Sequence, residues 1–238
     1  MEDKNLLHTT HRRGFLGTLA AGAAAISAAA IASPLAAAAE VTRSATAYPE
    51  DADAWFAKIK GKHKIIYDVP IPNGIMPFAW SKVFLLTNAA TGTPEKENNV
   101  VVVLRHDGIP FAFEDRIWDK YKFGELFRIN DMGTTTPSVK NFMWKAKPGT
   151  FQVPGLGAVD IGIDQLQDSG AMFCVCDMAM TVYSAVKAGQ IGGNAADVKK
   201  DWISGLLPGI QVVPSGVWAV GRAQEHGCAY CYAGGKEA

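Results

Sequence analysis

Residues 99–105 (NVVVVLR) constrain this chain more than any other stretch. Four consecutive valines and a leucine leave no polar face, so a strand built from them must be covered on both sides. Such a strand belongs inside a mainly parallel sheet with helices above and below it. The remaining segments supply those layers. Residues 63–69 (HKIIYDV) read as another strand, broken by Pro70, Pro72, Asn73 and Gly74. From Met76 the period changes, and Met76, Trp80, Val83 and Phe84 fall on one helical face. Phe113, Ile117 and Tyr121 give a second helical stripe, and Met178, Val182, Ala185 and Val186 a third. Asn194 is a good N-cap for a helix running through Trp202. Further strands are expected at 171–175, 210–213 and 228–232, with a helix at 215–226. Strand and helix in repeated alternation predict an α/β protein: a three-layer α/β/α fold with a mainly parallel five-stranded sheet.

Residues 130–160 break the rhythm. Gly133, Thr134, Pro137, Pro148, Gly149, Pro154, Gly155 and Gly157 leave no sustained period. Loops this long are uncommon unless they form lids or interfaces or are disordered. Phe142, Trp144 and Phe151 argue against disorder, so the loop is expected to pack on its own domain or on a neighbouring subunit.

The start of the chain reads as a leader rather than as part of the fold. Lys4, Arg12 and Arg13 make a basic start, and residues 14–32 form a long apolar stretch, mostly Ala and Gly. Residues 36–39 then offer small-x-small cleavage sites before Glu40. This is the layout of a secretory signal. Arg12-Arg13-Gly14-Phe15-Leu16 adds the paired arginines of the twin-arginine route. The expectation is a periplasmic or otherwise exported protein that meets the membrane only during export. An uncleaved anchor is the alternative, since about 20 apolar residues can span a bilayer. The chain then divides into a signal peptide at 1–39, a linker with a short helix at 40–60, and an α/β domain at 61–238. The whole chain has 23 basic and 23 acidic residues, and the leader takes away Lys4, Arg12 and Arg13 against Glu2 and Asp3, leaving a net charge of −1. There is no basic run, so nothing points to nucleic acid.

In parallel sheets of this kind ligands sit beyond the carboxyl ends of the strands. Asp68, His106, Asp107, Cys176, Pro214 and Ser215 fall on that edge, whereas His63 falls on the other. Cys176 stands where a strand gives way to a helix, whose N-terminal N–H groups favour a thiolate. Asp177 and the apolar neighbours Phe173 and Val175 act against this. The competing reading is an inert buried thiol. His106 and Asp107 could bind an anion or relay a proton near Cys176, or be an ordinary surface pair.

Cys228 and Cys231 have C-x-x-C spacing but a strand context, so their side chains should point to opposite faces. Tyr232 stands where c-type haem attachment needs His. A zinc site would require all four cysteines to converge across the sheet. No metal and no cofactor is expected. There is no dinucleotide, Walker, serine-hydrolase or zinc-protease motif.

The block DSGAMFCVCDMAM, followed by GIQVVPSGVWAVGRAQEHGCAYCYAG and preceded by HKIIYD and VVVVLRH, resembles the DsrE/DsrF-like sulfur-relay family, in particular its exported branch. The resemblance covers about residues 63–234 and is weakest through 130–160. It implies a homo-oligomer with a three-layer α/β/α fold. It also implies that a cysteine ending the third core strand carries a persulfide and passes its sulfur between donor and acceptor proteins. That position matches Cys176, with Asp68, His106 and Asp107 as candidate substrate-binding residues on the same edge. The other class of function open to this chain is a non-catalytic exported binding or assembly module that reuses the fold.

Overall fold

A computed structural model describes residues 52–235. The leader, its paired arginines and the linker up to residue 51 lie outside the described residues. The elements run in the order α1 (Ala52–Phe56), β1 (Lys64–Val69), α2 (Met76–Ala90), β2 (Asn99–Leu104), α3 (Asp115–Tyr121), α4 (Phe123–Leu126), β3 (Phe151–Val153), β4 (Gly157–Val159), α5 (Ile163–Asp168), β5 (Met172–Cys176), α6 (Asp177–Ile191), α7 (Ala195–Ser204), β6 (Ile210–Val213), α8 (Gly216–Glu225) and β7 (Ala229–Tyr232). Short 3-10 turns precede and follow β2. Among the described residues no helix is long and apolar enough to cross a membrane.

Five strands form one parallel sheet in the order β6-β5-β2-β1-β7. The valine run is its centre: Val100 to Val103 and Leu104 are fully buried. From β1 to β6 each new strand is added on the same side of the last one. Right-handed crossovers therefore leave the connecting helices on one face. That face carries Phe78, Trp118, Ile163, Leu166, Met180 and Trp202, packed on Val100, Val102, Leu104 and Phe173. From β6 the chain returns across the sheet to place β7 beside β1, so α8 lies on the opposite face. There α8 and α1 cover Ile66, Val101, Val103 and Cys174. The result is a three-layer α/β/α fold, as the alternation of periods predicts.

Two details depart from the expected pattern. The stripe Met76, Trp80, Val83 and Phe84 is only half buried: Met76 and Val83 are 38% and 42% exposed, Trp80 and Phe84 pack against the core, and the fully buried residues of α2 are Phe78 and Leu85. The α2 sequence is apolar nearly all round, so periodicity does not single out one face. The second face borders a groove of about 310 Å³ shared with Val153, Pro154 and Leu156 of a β-hairpin. That hairpin, β3–β4, is the other departure, since it lies inside the stretch read as an irregular loop. Its arms are only three residues long and too short to show alternation. Phe151 is buried at 3% exposure, and Phe142 and Trp144 also pack on the core of their own domain.

Helix α7 is clamped to α3 by one carboxylate. Asp201 takes Lys120 Nζ at 2.7 Å, the Tyr121 hydroxyl at 2.7 Å and Arg116 Nη1 at 2.8 Å. Lys120 first, with Tyr121 and Arg116, holds this carboxyl well below the usual carboxylate range. A depressed pKa means that the unfolded chain takes up the proton first. The stabilisation is therefore complete above about pH 4 and is lost as pH falls towards the folded-state value. The cluster is close to solvent, so screening leaves it only a small contribution. Asp201→Asn is expected to lower the melting temperature by about 2–4 °C at pH 7. The gap between variant and parent should narrow below pH 4 and in 1 M salt. Thermal melts showing a gap that stays constant from pH 7 to pH 2 would contradict this.

Candidate functional site

The carboxyl edge of the sheet gathers the polar residues. Cys176 ends β5, opposite Val213 of β6, and caps α6 with its sulfur: Sγ accepts the Ala179 N–H at 3.2 Å. Asp177 follows, and its charge is matched by Lys199 of α7, with Nζ 2.7 Å from Oδ1. The carboxylate that the sequence sets against a Cys176 thiolate is thus half of an ion pair. The apolar surroundings remain as expected, because Cys176 is only 6% exposed.

The other three thiols lie in different settings. Cys174 is fully buried on the α8 side, and its pKa is pushed well above the ordinary value by desolvation. Cys228 is pushed up to about 11, again by burial. Cys231 is raised by the same cause. Cys228 packs with the α8-side core and Cys231 with the opposite one, the divergence that a strand context demands. All four are free cysteines. Among the described residues no three of His, Cys, Asp and Glu come together as a metal-holding group.

Asp68, the next-to-last residue of β1, has both carboxylate oxygens occupied. Arg105 donates from Nε at 2.6 Å and from Nη2 at 2.9 Å, and the Tyr230 hydroxyl donates at 2.9 Å. Desolvation, then the bond to Asp68, pushes Tyr230 up to about 12. Asp68 itself is 2% exposed, so it acts on the edge through Arg105. His106 and Asp107 sit beyond β2 and gather with Tyr183 of α6. Tyr183 donates to Asp107, and its pKa is raised by burial and by that carboxylate. The His106 ring meets Tyr183 edge-on at 5.8 Å, and its Nδ1 is 3.1 Å from Asp107 Oδ1. His106 holds φ 48°, a left-handed conformation costly for a residue with a Cβ. Among the described residues no hydrogen bond joins His106 or Asp107 to Cys176.

Two further features escape a reading of the sequence. Strand order reverses between β1 and β7, which is where open sheets of this type leave a crevice. Here the chain fills it: Ala233 N–H donates to Asp68 O at 2.8 Å, and Gly235 N–H donates to Ile71 O at 3.3 Å. At the amino edge, Lys58, Lys60, Lys62 and Lys96 line an open cleft with Glu97. The alternation K-I-K-G-K-H-K hides this basic surface from a search for consecutive charges.

What the fold and the site define is a three-layer α/β/α protein with a sulfur-capped helix at the carboxyl edge of its sheet. No protein-family model matches the chain, and no curated protein matches it. Among solved structures it is similar to the protein of unknown function MTH1491 from Methanobacterium thermoautotrophicum, at 15% identity and a TM-score of 0.38, over 72% of this chain and 99% of that one.

Proposed function

We propose that this protein handles sulfane sulfur outside the cytoplasm, in the manner of the DsrE/DsrF-like proteins its sequence resembles, with Cys176 as the carrier. The observation that carries the reading is the capping bond. Cys176 is the one cysteine of the four whose sulfur accepts a backbone N–H at a helix N-terminus. That donor and the partial positive charge of the helix end favour negative charge on sulfur. Burial raises the pKa of each of the other three thiols, and none of them accepts a helix N-terminal N–H.

In the loading step the Cys176 thiolate attacks the outer sulfur of a persulfide donor. The Sγ–S bond forms, the donor's S–S bond breaks, and the donor's thiolate leaves with the electron pair. An acceptor thiolate then attacks the outer sulfur of the Cys176 persulfide and returns Cys176 to the thiolate. Neither step needs an external oxidant or reductant. The exported location rests on the twin-arginine leader, and self-association rests on the family resemblance.

The test is alkylation with mass mapping at neutral pH, with and without a persulfide donor. Cys176 is expected to label fastest and to gain the mass of one sulfur. If it labels no faster than Cys228 or Cys231 and gains no sulfur, the carrier reading fails. The alternative is a non-catalytic binding or assembly module, favoured by the apolar groove between α2 and the hairpin.

A further inference from the structure

The sheet brings Arg105 level with Cys176. Strands β2 and β5 run parallel with Leu104 opposite Val175, so the next position along both is Arg105 beside Cys176. Arg105 is still extended there, with φ −138° and ψ 167°. Its Nε and Nη2 are spent on Asp68, and among the described residues Nη1 has no acceptor. The stem of the side chain is also held. Gly216, which opens α8, packs so closely on it that a Cβ there would come under 3.0 Å from Arg105 Cβ and Cδ. Behind Arg105 the chain of contacts continues through Asp68 to the Tyr230 hydroxyl. Asp68 foremost raises the Arg105 pKa, and negative charge on Cys176 is the smallest of the contributions that add to this.

Sulfur transfer to a thiolate from an anionic donor brings two negative charges together. A cation locked beside the nucleophile offsets that repulsion and holds the anionic end of the donor. We propose that Arg105 is the selecting residue of the Cys176 site, and that it favours small sulfane-sulfur donors with a negative charge beside the transferable sulfur. This rests on the reading of Cys176 as the carrier. With thiosulfate the step balances without a redox partner. The Cys176 thiolate attacks the outer sulfur, the new Sγ–S bond forms, and the S–S bond to the sulfonate sulfur breaks. Sulfite leaves with the electron pair. In this proposal the Arg105 guanidinium offsets the charge of the sulfonate before the step and of the departing sulfite after it. Arg105→Lys keeps the charge but loses the fork by which Asp68 holds it.

The experiment compares alkylation of Cys176 by iodoacetate and by iodoacetamide, reagents of similar size that differ in charge. Each rate is read by mass mapping in the folded protein, with Cys231 as internal control. Arg105→Gln is expected to lower the iodoacetate-to-iodoacetamide rate ratio at Cys176 on the order of tenfold, the effect of one nearby unit charge at intermediate dielectric. The ratio at Cys231 should not move, and Arg105→Lys should recover part of the loss. In the unsubstituted protein, added salt should lower the ratio at Cys176 more than at Cys231, and thiosulfate should load sulfur onto Cys176. The salt arm keeps the test valid if a variant fails to fold. A ratio at Cys176 insensitive to Arg105→Gln, or to salt where that variant does not fold, overturns the role of Arg105 while leaving Cys176 as carrier. Failure of Cys176 to react with either reagent removes both.

Discussion

Gly124→Ala is expected to lower the melting temperature by roughly 10 °C. A Cβ at this position would come closer than 3.0 Å to Ser138 N and O and to Ile129 O. All three are backbone atoms. They are tied together, because Ser138 N–H donates to Ile129 O at 2.8 Å and Ile129 N–H donates to Gly124 O at 2.8 Å. Relief requires the returning loop to move away from α4, breaking this pairing and loosening Phe123, which is fully buried against Trp202 at 4.8 Å between ring centroids. A cost of about 3 kcal/mol follows from overpacking a site whose neighbours cannot give. In a domain of this size each kcal/mol moves the midpoint by about 2–4 °C. Gly189→Ala is the control: it lies inside α6 with nothing near its Cβ direction, and should gain about 0.5–1 kcal/mol from helix propensity. A Gly124→Ala melt within 2 °C of the parent would show that the loop yields.

Asp68→Asn has the second largest expected effect. The carboxylate is almost wholly buried and accepts three donors. An amide of the same shape can accept at its oxygen but turns N–H groups towards Arg105 or Tyr230. Removing one partner of a buried ion pair costs about 3–5 kcal/mol. Arg105 keeps some contact with water, its side chain being 27% exposed, so about 3 kcal/mol is the better expectation. The double variant Asp68→Asn with Arg105→Met should lose less than the sum of the two single changes, because the orphaned cation is gone. Denaturant unfolding showing simple additivity would mean that the pair does not act as a unit.

Much of the architecture was legible because periodicity is a local signal. The β-branched run at 99–104 could only be a doubly covered strand, and Asn194 caps its helix with bonds from Ala196 N–H and Asp197 N–H, as its residue type suggests. The hairpin was hidden by its length, and the outer face of α2 by a sequence apolar on all sides. The edge of the sheet that gathers the polar groups followed from parallel topology alone. The partnerships on that edge did not. Asp177 looked like an opponent of Cys176 because its neighbour in sequence is Cys176, while its partner Lys199 comes from another helix. Arg105 read as the end of a strand. Only the register of β2 against β5 sets it beside Cys176, and only the return of β7 brings Tyr230 to Asp68.

That return also dictates an order of assembly. Strand β1 pairs with β2 early in the chain, but its other edge waits for β7, with almost the whole domain in between. Until β6 and α8 have formed, β1 presents a row of unpaired N–H and C=O groups beside Ile65 and Tyr67, the kind of edge that recruits strands from other molecules. A chain emerging N-terminus first therefore makes its first strand long before the strand that seals it. Closure of the sheet depends on a contact of high sequence separation, which makes it slow to form.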